Sequence, residues 1–237
     1  MKVAIMQPTY MPWAGYLRLV ARADRFVYLD DAQYERGTWH QRNRVLLNGR
    51  AHWLTVPVRR LRLGETLLEV QVEDAAHWRR KHLALVTNAY GRHPHADDAL
   101  ALMRLAARST EVTSLALLNI ALIEHCCEVM GLVTERLRSS TLGVGGARTG
   151  RVLSICGLLG ATTYISPPGA REYLETDGFK EQAAIKLEFD EFPASAYPQQ
   201  GACGFVSHLS VLDVVANIGW KGLARYIAGG DNAGIDP

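Results

Sequence analysis

A short apolar run, Val3-Ala4-Ile5-Met6, halts at Gln7-Pro8, and this abrupt stop limits the fold of the chain more than any other feature. The run has no polar alternation, which suits a strand buried on both faces of a parallel sheet. A loop bracketed by Pro8 and Pro12 comes next. Tyr16, Leu19, Val20 and Ala23 then fall at helical spacing, and "FVYLD" at 26–30 reads as a second strand. Strand, loop, helix and strand within about thirty residues is the length of a βαβ unit.

The rest of the chain extends this pattern. Asn48-Gly49 lies between two β-rich segments in "RVLLNGRAHWLTVPV" and predicts a hairpin with a type I′ turn. Helical periodicity covers segments near 76–90, 96–107 and 111–130. Thr110 is a candidate cap for the third, and Gly131 a stop. Strands or helices return at "LVTERL", "RTGRVLSICGLLG", "TTYIS" and "IKLEF". A last helix is expected near 207–218, capped by Ser207 or Ser210, and the tail "AGGDNAGIDP" is expected to fray. The pattern predicts an α/β fold: an open, mostly parallel sheet in a single domain over 1–237, with a β-hairpin near 43–58 and a helical insertion near 75–130.

Composition narrows the function. Of 237 residues, 26 are Lys or Arg and 24 Asp or Glu, a net charge of +2 that gives no argument from bulk charge for nucleic acid. No apolar run approaches the roughly 20 residues of a membrane helix. Pro8 and Pro12 interrupt any signal-peptide core. The four cysteines form no framework, so reduced thiols and a cytoplasmic location are expected.

Ligands of open α/β sheets sit outside the carboxyl ends of the strands. Gln7, Tyr10, Trp13 and Tyr16 leave the first strand at that end. They read either as a rigid aromatic turn or as a pocket wall. Asp30, Asp31 and Gln33 end the second strand, and serve either as turn formers or as ligands for a metal, a ribose or an amine. Successive strand residues point to opposite faces, so at most one of the two aspartates is expected to face the pocket. "TWHQRNRV" gathers Trp39, His40, Arg42, Asn43 and Arg44. Arg42 and Arg44 share a strand face, which suits an anion such as a nucleotide or a phosphopantetheine better than a solvated basic strand. His82 follows Trp78 by four residues, beside Lys81, on one helix face. Ser166 and Tyr173 belong to "SPPGAREY", a loop at another strand end that leads into a helix. His93-Pro94-His95 with Asp97 and Asp98 is a poor metal set, and none is expected there. There is no phosphate-binding P-loop, no G-x-S-x-G and no G-x-G-x-x-G.

Together, "AIMQPTYMPWAGYL", "DRFVYLDDAQ", W-x-x-RNRV at 39–45, "WLTVPV", W-x-x-KH at 78–82, "YIS", "EYL" and "FVSHLSVLDVVANIG" resemble the WbqC-like protein family from residue 3 to about 219. At 166–170 the family's glycine-rich turn is replaced by "SPPGA". The resemblance implies a soluble bacterial protein of O-antigen, amino-sugar or secondary-metabolite biosynthesis. The first βαβ is also similar in layout to those of pantothenate synthetases and nucleotidyltransferases, without their paired histidines. The resemblance implies an acyltransferase: an acyl or aminoacyl group passes from a coenzyme A or carrier-protein thioester to a small-molecule amine. In that scheme His82 or His40 is the base, and Asp30 or Asp31 orients the ammonium. Arg42 and Arg44 hold the donor's phosphate, and Asn43 donates to the oxyanion. An ATP-dependent ligase or nucleotidyltransferase, and a non-catalytic nucleotide-sugar-binding protein, are the alternatives.

Overall fold

A computed structural model of the chain describes residues 1–60, 62–73, 77–182 and 184–229, without the side chain of residue 181. The strands are β1 (Lys2–Met6), β2 (Arg25–Tyr28), β3 (Arg42–Leu47), β4 (Arg50–Thr55), β5 (Glu135–Arg138), β6 (Thr163–Ser166) and β7 (Lys186–Phe189). The helices are α1 (Ala14–Arg22), α2 (Trp78–Tyr90), α3 (Ala96–Arg108), α4 (Leu115–Val129), α5 (Arg148–Leu158), α6 (Arg171–Thr176), α7 (Phe179–Gln182) and α8 (Val211–Ala228).

Five strands form one sheet in the order β5-β2-β1-β6-β7, and every pairing in it is parallel. Ala4 opposes Phe26, and Ile5 opposes Val27. The pleat sorts these residues to two faces. Ala4, Phe26, Tyr28 and Ile165 join the larger core, with side chains from α1, α2, α3, α4 and α8. Val3, Ile5, Val27 and Tyr164 join a smaller core with α5, α6 and Phe179. Burial on both faces is why residues 3–6 and 26–28 read as continuous apolar runs.

β3 and β4 form a separate antiparallel hairpin. Asn48 (φ 51°) and Gly49 (φ 71°) are both left-handed at its turn, as a type I′ turn requires. α4 begins at Leu115, where Ser114 Oγ accepts from Leu117 N at 3.5 Å, rather than behind Thr110. Val72 N donates to Thr113 O at 2.7 Å, and Gln71 pairs with Ser114, so this stretch is tied to a neighbouring segment instead of the helix. α8 runs past the expected end at 218, through a kink at Gly219 (φ 66°, ψ 176°), to Ala228. A Cβ at Gly219 would stand 2.8 Å from His95 Nδ1, so only glycine fits there. The tail from 230 onward lies outside the described residues.

Candidate functional site

The order of the sheet reverses beside β1: one run of the chain adds β2 and β5 on one side, and the later run adds β6 and β7 on the other. Such a switch point opens a crevice beyond the strands' carboxyl ends. A cavity of about 530 Å³ lies there. Ile5, Met6 and Gln7 leave β1 into it, Leu29 follows β2, and Pro167–Ala170 follow β6. Trp13, Trp39, Tyr164, Tyr173 and His208 supply aromatic walls, and Thr9 and Asn43 add polar groups.

The loop from Gln7 to Trp13 is held from three directions. Asn43 Nδ2 donates to the carbonyls of Met11 (2.7 Å) and Tyr10 (3.3 Å). Asn119 Nδ2, on α4, donates to Pro8 O (3.1 Å) and His40 O (2.7 Å). Val211 N, at the start of α8, donates to Pro12 O at 2.7 Å. Buried carbonyls need partners, and each here finds one on a distant element. Met11 is held in the left-handed region (φ 44°), a conformation sparsely used by non-glycine residues. His208 is left-handed too (φ 57°), and its ring lies 4.7 Å from that of Trp13 at 34°. Trp13 folds back over its own helix. A Cβ on Gly15 would meet the indole at 2.3 Å, so the tryptophan's seat requires glycine there.

The sequence candidates divide. Gln7, Trp13, Tyr16, Trp39, Asn43 and Tyr173 line the cavity. Gln7 and Thr9 make no side-chain hydrogen bond to the described protein, so both are open to a ligand. The Asn43 amide is committed instead: its nitrogen pins the loop, and its oxygen accepts from Arg44 N at 2.8 Å. Tyr10 is fully buried away from the cavity, with its hydroxyl 3.0 Å from His82 Nδ1. Burial lowers the His82 imidazole to about 4, opposed by a backbone hydrogen bond at Thr55. Burial likewise takes His40 to about 4, and its Nδ1 meets Thr38 Oγ1 at 2.9 Å. Neither histidine lines the cavity. Both are neutral packing groups at pH 7, and the expected shared hollow does not include them.

The aspartates are also engaged elsewhere. Asp30 is fully buried and accepts from Arg138 Nε (2.7 Å), Ser140 N (3.0 Å), Ser140 Oγ (2.8 Å) and Ser139 Oγ (3.2 Å). Burial pushes its carboxyl up, but the Arg138 and Ser140 donors outweigh that and hold it below the usual range. Asp31 pairs with Arg151 and Ser139. The pair therefore ties β2 to the turn after β5 and to α5. Gln33 and Lys81 are exposed and outside the cavity. Ser166 is fully buried; its hydroxyl lies 3.2 Å from Pro167 O and also bonds Tyr164, which bonds Tyr173. Burial raises the Tyr173 phenol, a donor at neutral pH.

Arg42 and Arg44 stand on the outward face of the hairpin. Arg44 opposes Trp53 across the strands and reaches toward the carbonyls of Ser207 and His208, each at 3.4 Å. Its Nε is buried with no partner. Sequence reasoning missed His208, the imidazole in the cavity wall. It lies within "FVSHLS", but a lone histidine in a loop gives no signal until the fold carries it onto Trp13. Thr9 and Tyr164 were missed as well. No cysteine lines the cavity: Cys126, Cys127 and Cys156 are buried, and burial raises all three thiols, the latter two to about 12. Among the described residues no group of three or more His, Cys, Asp or Glu could hold a metal, and no helix is long and apolar enough to cross a membrane.

The model of the WbqC-like protein family matches residues 7–225. The chain belongs to that family. This WbqC-like protein is also 33% identical over 223 residues to "Uncharacterized protein Rv1507c" of Mycobacterium tuberculosis, covering 92% of the present chain and 94% of that relative. No solved structure matches it.

Proposed function

We propose that this WbqC-like protein is an amide-forming acyl or aminoacyl transferase, taking its donor as a coenzyme A or carrier-linked thioester and its acceptor as the amine of an amino sugar or a secondary-metabolite intermediate. The observation that carries the reading is the cavity: an aromatic, largely apolar hollow for an acyl chain, with one imidazole in its wall and, on the adjoining hairpin, the Arg44 guanidinium with its Nε unpaired. In this reaction the amine attacks the thioester carbonyl. His208 takes the proton that the nitrogen sheds, the free amide of Gln7 and the hydroxyl of Thr9 donate to the developing oxyanion, and the C–S bond breaks as the thiolate leaves and is reprotonated. Attack is direct, since no thiol lines the cavity.

The test is a panel of acyl thioesters and small amines incubated with the purified protein. Amide formation is followed by mass spectrometry and thiol release by absorbance. His208→Ala is expected to lower turnover by about 10²- to 10⁴-fold, the usual worth of a positioned general base. No amide from any pair, with no thiol released, overturns the reading. The strand order favours a second reading, because sheets that reverse beside β1 serve nucleotide-binding enzymes. An ATP-dependent ligase would release pyrophosphate from ATP in the presence of a carboxylic acid. Tight ligand binding without turnover, unaffected by His208→Ala, would instead mark a binding protein.

A further inference from the structure

The chain's near-neutral charge hides a strong local asymmetry. From Arg36 to Arg62 there are seven arginines and no aspartate or glutamate. This segment contains the whole β3–β4 hairpin. None of the seven forms an ion pair among the described residues. Elsewhere eight described arginines find carboxylates: Arg18, Arg22, Arg25, Arg136, Arg138, Arg148, Arg151 and Arg171.

Two tryptophans stand in the same surface. Trp39 is 45% exposed and Trp53 46%, which is unusual for the largest apolar side chain. Their rings lie 5.5 Å apart at 41°. The Arg42 guanidinium sits 4.2 Å from the Trp53 ring, and that of Arg44 is 5.8 Å from both rings. Cross-strand pairing sets this array: Arg42 and Arg44 alternate out of β3, and Trp53 stands directly opposite Arg44. The inward residues of the same strands, Asn43, Val45 and Leu54, are buried, so the outward set cannot turn in without a register slip. Trp39 belongs to both places, lining the cavity and stacking on the platform outside it.

Open indole faces beside uncompensated guanidinia match one ligand chemistry. A heterocyclic base lies on the rings, and its phosphates take the forked donors, including the buried Arg44 Nε that lacks a partner. An acid-bearing apolar ligand would leave the platform idle, and a neutral sugar would leave the arginines idle. We propose that the outward face of the hairpin binds a phosphorylated nucleotide that is the head of a substrate whose reactive end enters the cavity past Trp39. The inference rests on the proposed transfer for the role of that head. Coenzyme A, as donor, and a nucleoside-diphosphate sugar, as acceptor, are the two sources of this chemistry.

The experiment titrates the intact protein with coenzyme A, dephospho-coenzyme A, pantetheine, UDP and a short single-stranded RNA, reading tryptophan emission and calorimetric heat. A nucleotide is expected to quench emission, and pantetheine is not. Trp53→Ala and Arg44→Gln are each expected to weaken the binding nucleotide by about tenfold or more, the scale of one lost base stack or charged hydrogen bond. Arg42→Gln, which disturbs no backbone contact, repeats the test should either variant misfold by circular dichroism. Preference for coenzyme A over UDP assigns the head to the donor, and the reverse to the acceptor. Binding of none of the nucleotides, unchanged affinity in the folded variants, or binding of the RNA alone overturns the proposal. The two readings fail separately. Nucleotide binding that depends on Trp53 but is accompanied by no amide leaves the platform and removes the transferase. Amide formation from pantetheine and coenzyme A thioesters with equal KM does the opposite.

Discussion

Gly15→Ala is expected to change sign with the residue at position 13. The Cβ it adds would stand 2.3 Å from Cη2 and Cζ2 of Trp13, where ordinary contact begins at 3.4 Å. The indole would have to withdraw by about 1 Å, the difference between those distances. It cannot do so freely, because His208 (4.7 Å) and Phe192 (5.8 Å) flank it. Overpacking of this kind costs about 1–3 kcal/mol. Against it stands the better helix propensity of alanine, about 1 kcal/mol, at the second residue of α1. The net effect in the native background is a loss of about 0–2 kcal/mol. With Trp13→Ala the clash is gone, and the same substitution should stabilise by up to about 1 kcal/mol. Urea denaturation of the four proteins of this double-mutant cycle gives a coupling energy, expected at about 1–3 kcal/mol. A coupling under about 0.5 kcal/mol, within ordinary additivity error, would mean that the indole does not lie over Gly15. The tryptophan wall of the cavity would then be wrong.

The buried polar groups give three further expected outcomes. His40 and His82 have imidazoles lowered from the usual 6.5 to about 4, so the unfolded chain binds protons that the folded one refuses between those values. Stability should therefore fall as pH drops from about 6.5 toward 4, by up to roughly 3 kcal/mol per histidine, and His82→Gln should flatten the slope; a flat profile between about pH 7 and 4.5 in the native protein refutes it. Asp30→Ala strips four donors of a fully buried acceptor and should cost about 3–5 kcal/mol in denaturant unfolding, with Asp31→Ala milder. If Asp30→Ala keeps full stability and loses only turnover, the aspartate is a site residue and not a structural tie. Asn119→Leu orphans the carbonyls of Pro8 and His40 and should cost about 2–4 kcal/mol, and unchanged unfolding by urea would show the loop does not depend on it.

The fold was legible because its signals are local. Burial on both faces leaves its mark as unbroken apolar strands at 3–6 and 26–28, and a type I′ turn leaves Asn48-Gly49. Boundaries failed where a long-range contact decided them. The start of α4 follows Val72 donating to Thr113 O, and α8 continues past 218 through a kink at Gly219, which packs against His95. Neither partner is near in sequence. The site was half legible for a related reason. A polar residue at a strand's carboxyl end can turn toward a crevice or back into the protein, and its neighbours in sequence do not say which. Gln7 faces the cavity because no partner reaches it. Asp30 does not, because Arg138 at the end of β5 and Ser140 in the turn after it, more than a hundred residues later, arrive beside it.

The same logic explains the aromatic loop after β1. Tyr10, Trp13 and Tyr16 are three different devices within one short turn. Tyr10 points inward and is locked against His82 on α2. Trp13 forms cavity wall, which is possible only over Gly15. Tyr16 anchors α1 on Phe26 of β2, their rings 5.5 Å apart. The prolines shorten the menu of loop conformations, and Asn43, Asn119 and Val211 fix what remains through the carbonyls. Each of those three donors sits on a different element, the hairpin, α4 and α8. The loop is thus where these parts of the chain are registered against the sheet. A change at Asn43 should for that reason disturb the cavity wall and the arginine platform together, because one amide nitrogen holds the first and its oxygen orders the backbone of Arg44 in the second.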